Sequence, residues 1–303
     1  MILRRDRVTS AAVVSLMVLS ACSGDNGSTG SAPRKTGAVP QAGQSPAEPI
    51  TPKDFDPSLF GNDSANIDNR WLPLEPGTKA IWDGHAFDGE ARVHRRVVEV
   101  ITDLTKVIAG VRTRVGWSRD FTDGLMEESE LFFEAQDRYG NVWHMGEYRE
   151  TYDEEEFVGG RLWIQGDPKG AHAGILMEAD PRLDQTFAQG FAPDPWNWHD
   201  IGRVYREGVR TCAPIGCFDE VLVIEEFEPL KPGAFQLKYY APGVGNVRVG
   251  WRGPNEEERE VLVLTKLERL SPEALAEARA QALQQEHRGY AYGRTAPAQQ
   301  SAA

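Results

Sequence analysis

Lys106-Val-Ile-Ala-Gly-Val-Arg-Thr-Arg-Val115 reads as two extended runs broken by Ala109-Gly110, and the residues around it follow the same pattern. Apolar side chains alternate with polar ones, and turn-forming pairs punctuate them, as half-buried antiparallel strands require. Upstream, Arg92–Ile101 carries Val93 and Val97. Downstream, Asp123-Gly124 leads into Leu125–Glu134, and Tyr139-Gly140-Asn141 leads into Val142-Trp-His-Met145 and an acidic stretch. Residues 159 to 200 read as a long irregular segment with short strand candidates such as Gly174–Met177. Strands resume at Gly202–Val209, Phe218–Phe227, Ala234–Tyr240, Gly245–Trp251 and Glu260–Leu267. Consecutive antiparallel strands with short turns predict an all-β fold, a meander forming a curved sheet or partial barrel over residues 53–270. One C-terminal helix follows at 271–288, with Ser271 as cap and Pro272 in the first position. This helix is expected over an open edge or a barrel mouth, and residues 289–303 as a disordered tail.

The other end of the chain speaks of export. Arg4, Arg5 and Arg7 precede an apolar run from Val8 to Leu19 that is too short to span a bilayer, so residues 1–21 read as a signal peptide. Leu19-Ser-Ala-Cys22 resembles the bacterial lipobox. That resemblance implies cleavage before Cys22, acylation of its sulfur and anchoring in the lipid bilayer; two chains hold firmly, at about 0.8 kcal/mol per buried methylene. Ser23 in place of Asp then implies the outer membrane, facing the periplasm, if the cell is Gram-negative. Residues 22–52 are rich in Gly, Ser, Pro, Ala and Gln and read as a flexible tether with an r.m.s. span of about 30 Å.

Composition narrows the partners. The formal charge is −13, and removal of the signal peptide takes away more basic than acidic residues, which argues against nucleic acid and against basic docking on anionic lipid. Eight Trp, twelve Phe and eight Tyr are enough for a substantial core. Of three cysteines, Cys22 goes to lipid, so Cys212 and Cys217 should pair in an oxidising compartment; closing so short a loop contributes about 2 kcal/mol. A redox role lacks the Cys-x-x-Cys spacing.

Asn69-Arg-Trp-Leu-Pro-Leu-Glu-Pro-Gly77, Gly216-Cys-Phe-Asp219 and Lys238-Tyr-Tyr-Ala-Pro-Gly-Val-Gly245 resemble a group of uncharacterised exported bacterial β-proteins. The resemblance implies a fold and brings no activity with it. Pro76-Gly77 and Pro242-Gly243 are turn dipeptides in which glycine supplies a positive φ.

Chemistry is sparse. Gly-x-Ser-x-Gly, a P-loop and His-Glu-x-x-His are missing, and no cofactor is expected. His144 and Glu147 in one regular strand would face opposite ways, which speaks against joint metal ligation. His85 and His94 read as surface histidines, and Asp153-Glu-Glu-Glu156 as a solvated charged edge that lacks a calcium-loop pattern. The Pro-rich segment Phe187–Asp200 stands apart: Phe191, Trp196, Trp198 and His199 either line a ligand mouth or plug one end of the sheet. Two functions follow. One is a non-enzymatic envelope lipoprotein that binds an amphipathic small molecule or an envelope protein, with a cavity behind the Trp196–Trp198 loop. The other is a hydrolase built on paired carboxylates.

Overall fold

In the computed structural model the described residues are 52–301, Pro195 and Arg294 excepted; the expected signal peptide, Cys22 and the tether up to Thr51 lie outside them. The strands are β1 (Thr78–Asp88), β2 (Ala91–Ile108), β3 (Val111–Thr122), β4 (Leu125–Gln136), β5 (Val142–Asp153), β6 (Glu156–Ile164), β7 (His172–Met177), β8 (Thr186–Ala188) and β9 (Gly190–Phe191). They continue as β10 (Ile201–Ala213), β11 (Gly216–Phe227), β12 (Phe235–Ala241), β13 (Gly245–Arg252) and β14 (Val261–Arg269), before helix α1 (Pro272–Gly289) and a last short strand, β15 (Gln299–Gln300).

All pair antiparallel in the order β8-β10-β11-β12-β13-β14-β1-β2-β3-β4-β5-β7-β9, with β6 beside β5 and β15 beside β2. The ladder does not close. Its two ends nevertheless belong to one segment, because β8 pairs with β10, β9 pairs with β7, and Gln189 alone separates them in the chain. The meander is therefore curled until a single kinked segment serves both margins.

Local chemistry sets the hairpins. Ala109-Gly110 (φ 47° and 83°), Asp123-Gly124 (50° and 87°) and Glu154-Glu155 (48° and 70°) form two-residue turns with both central residues left-handed, the twist that flanking strands demand. The β6 hairpin and β7 give order to part of the segment read as irregular. Cys212 and Cys217 face each other across β10 and β11 and are disulfide-bonded, with Cα atoms 4.0 Å apart. One core gathers Val100, Leu131, Trp143 and Met145 with Val204 and Ile224 from the far strands, and a second surrounds Trp82, Val247 and Leu264.

Helix α1 begins as expected, the Ser271 side chain accepting from the Ala274 amide with Pro272 in the first turn. It covers a sheet face, not an edge. The Trp117 indole donates to Ser129 Oγ and to Gln285 Oε1, and Arg288 grips Glu150 with two bonds of 2.7 Å. Small residues permit this approach: Ala278 and Ala282 are buried, and a Cβ on Gly289 would stand 3.0 Å from the Tyr148 ring.

The expectation of a disordered tail is corrected over residues 295–301. β2 shifts register against β3 between Ile101 and Thr105, and β15 joins β2 there, Gln299 opposite Thr105 and Gln300 opposite Leu104. A buried cation explains the return. Lys106, 1% exposed, donates to Glu286 Oε1 (2.5 Å) and to the Ala296 carbonyl (2.5 Å), while the Ala298 amide donates to the same Glu286 oxygen. A buried ammonium is tolerated only when paired and fully hydrogen-bonded, and the tail supplies one of its partners.

Two glutamates in left-handed backbone carry a steric cost that glycine avoids. Glu155→Gly should therefore raise stability by about 1 kcal/mol, seen as a higher urea midpoint at unchanged slope.

Candidate functional site

The site begins with one extra residue. Phe133 pairs with Gly146 and Glu134 pairs with His144, so Met145 has no opposite number on β4. This bulge resets the alternation. Glu134 and Phe132 share a face, Phe132 lies opposite Glu147, and His144 and Glu147 consequently point the same way, contrary to the regular-strand expectation. Gly146 accommodates the bend at φ 145°, where a Cβ would stand 2.5 Å from the Trp163 carbonyl.

The imidazole is clasped. His144 Nδ1 is 2.7 Å from Glu134 Oε1, and Nε2 is 3.6 Å from Glu147 Oε2. Arg149, two residues further along the same face, reaches Glu130 at 2.9 Å, Glu147 at 3.4 Å and Glu128 at 3.7 Å. Asp120 lies opposite Glu128, and Arg95 binds Asp120, Glu127 and Glu260 at 3.5, 2.8 and 3.4 Å. From the far wall, Lys238 holds Glu226 at 2.6 Å. Carboxylates thus outnumber cations across the face opposite the helix.

Burial and neighbours set the protonation states. Burial disfavours a charged His144, but Glu134 and Glu147 overcome it and lift the imidazole to about 10. Burial also works against ionised Glu147, yet Arg149 and His144 hold its carboxyl below the usual range. Burial and the Glu147 charge push Glu130 the opposite way, upward. Asp120 and Glu99 rise to about 7, each chiefly through burial, the latter aided by Glu134.

The aromatic loop lies on this bed. Trp198 packs 5.2 Å from Trp163 and 5.6 Å from the His144 ring, and Trp163 stands edge-on to His144 at 5.0 Å. Trp196 is flanked by the guanidinium groups of Arg149 and Arg161, 5.4 and 4.8 Å from its ring centroid. Phe191 and His199 form a separate edge-to-face pair at 5.9 Å. The four aromatic residues singled out from sequence therefore divide into two groups, and side-chain rings fill the space expected to be a cavity behind Trp198. Sequence reasoning missed Trp163, Glu130, Glu134 and Arg149, and set His144 and Glu147 aside; only Gly146, next to a histidine in an otherwise regular strand, hinted at the bulge. Among the described residues no group of three His, Cys, Asp or Glu could hold a metal ion.

No protein-family model and no curated protein matches the chain. Two solved structures are similar to it: a candidate exported protein with a YmcC-like fold from Bacteroides fragilis (12% identity) and a candidate lipoprotein from Parabacteroides distasonis (13%). Each likeness covers 66% of this chain and 100% of the other, at a TM-score of 0.37, too low to carry any inference.

Two predictions follow from the charges. His144, Asp120 and Glu99 bind protons more tightly when folded, so each contributes stability that is present below its unfolded pKa and lost as pH rises through the folded one. Urea unfolding should show stability falling from pH 5 to pH 10, with a slope of about 1.4 kcal/mol per pH unit for each such group in its window. His144→Gln should flatten the part above pH 7, and a flat profile in the parent chain would refute the assignment. Arg149→Met strips the counterion from three acids and should cost about 3 kcal/mol in the same assay.

Proposed function

We propose that the chain is a lipoprotein of the bacterial cell envelope, anchored through acylated Cys22, whose β domain works by binding an amphipathic ligand or a partner protein. The observation that carries the envelope assignment is the conjunction of the lipobox-like Leu19–Cys22 with the Cys212–Cys217 disulfide, which belongs to an oxidising compartment. The binding half rests on a charged, largely desolvated surface beneath an aromatic loop, an arrangement that costs stability and so calls for a use. In a Gram-negative cell the domain would face the periplasm from the outer membrane.

One observation favours the hydrolase reading. Glu130 and Glu147 share Arg149 and are driven to opposite protonation states, as an acid and base pair would be. Arg149 bridges both acids and occupies their oxygens, so binding is the better-supported role.

Labelling the full chain with palmitate tests the anchor: label and membrane pelleting should both be lost in Cys22→Ala. Unlabelled wild-type protein in the soluble fraction would overturn it. Native mass spectrometry of the exported protein tests binding, the expected result being a co-purifying mass or a stoichiometric partner; a bare monomer that takes up nothing from envelope extract would count against it.

A further inference from the structure

Three buried polar atoms in one neighbourhood have no hydrogen-bond partner among the described residues: Trp163 Nε1, Trp196 Nε1 and Glu134 Oε2. Buried polar groups are nearly always paired, and each unpaired one calls for a cause. Trp163 is 1% exposed and lies opposite Glu147 across the β5–β6 ladder, so its indole enters the same face as Glu147 and His144. Glu134 is 2% exposed and spends only its other oxygen on His144. Two of these atoms are donors and one is an acceptor.

The cover is bonded in part within itself. Residues 192–200 make their own bridge, Ala192 with Trp198, and their own turn, Trp196 amide to Pro193 carbonyl. Trp196 and Trp198 meet the sheet through rings and guanidinium faces. The loop follows β9, where a Cβ on Gly190 would stand 2.7 Å from the Trp198 ring.

We propose that residues 192–200 are a lid over a binding site for a hydroxyl-bearing, ring-shaped ligand, the chemistry of a carbohydrate, with the Trp163 indole as donor and Glu134 as acceptor. This rests on the binding reading above and names its ligand class. A hydroxyl both accepts and donates, so adjacent hydroxyls satisfy indole N–H and carboxylate oxygen together. The apolar face of the ring replaces the lid tryptophans' present contacts with Trp163 and His144. A metal or a lone ammonium would satisfy the acceptor and leave both indoles unpaired.

The test uses the exported protein and two probes: a soluble N-acetylglucosamine tetramer, for a free glycan, and octyl glucoside below its micellar concentration, for a glycolipid head. Saturable tryptophan quenching is expected with at least one probe, together with a change in amide exchange confined to residues 190–200. Trp163→Phe deletes the donor and leaves a smaller aromatic ring in place, and should weaken that binding about tenfold. Exchange in the unliganded wild type reports the lid without any variant: faster opening than in β4 and β5 is expected, and protection equal to those strands overturns the lid. Binding of neither sugar, or equal binding by Trp163→Phe, overturns the ligand class. If native mass spectrometry then shows a cargo of other chemistry, the binding reading survives this failure; if it shows none, both fall.

Discussion

The unpaired Met145 is the constraint on which the functional face depends. Without that extra residue, strict alternation would send His144 to the face under helix α1 while Glu147 stayed opposite. With it, one imidazole sits between two carboxylates and Arg149 follows in register to neutralise the next acids along. The cost is local: Gly146 must adopt a backbone that other residues resist, and the Trp163 carbonyl fills the space a Cβ would need. A bulge that re-aims a side chain beside a polar cluster belongs with functional architecture more than with packing, since the apolar core gains nothing from His144.

The charges also explain why the two faces of the sheet are treated differently. Under α1 most polar groups are paired: Ser129, Gln285 and Trp117 satisfy one another, and Glu150 accepts from Arg288, Tyr148 and Tyr152, though Asp103 keeps one buried oxygen unpaired while the other accepts from Arg279. On the opposite face, burial pushes Glu130, Asp120 and Glu99 upward, and Glu134 leaves an oxygen unpaired. Both faces bury polar atoms in one continuous sheet, so the difference does not come from topology. What sets the far face apart is that two indole N–H groups and a carboxylate oxygen are left unpaired around one loop.

The hairpins were legible because their determinants are local. Ala109-Gly110 and Asp123-Gly124 are turn pairs between alternating runs, Ser271-Pro272 is a helix start, and two cysteines five apart in an exported chain pair. What was not legible depends on partners distant in sequence. The ordered tail has little apolar pattern of its own and returns because Lys106, some 190 residues earlier, needs the Ala296 carbonyl. The bulge is invisible to a two-residue period, since the rule that detects strands is the rule it breaks. Trp196 and Trp198 drew notice as a cluster, but what they rest on, Arg149, Arg161 and Trp163, comes from strands read as an acidic stretch or as irregular chain.

The lid and the tail make an instructive contrast in how a segment of irregular chain is held. The tail is fixed by directional bonds to a buried ion pair, and removing it would leave Lys106 short of a partner in a dry environment. Trp196 and Trp198 of the lid lie against ring faces and guanidinium planes, contacts that a ligand with an apolar face can replace. A segment meant to stay would be expected to have bonds of the first kind and one meant to move bonds of the second. Trp196 and Trp198 meet the sheet by contacts of the second kind, over atoms whose hydrogen bonds are still unmade.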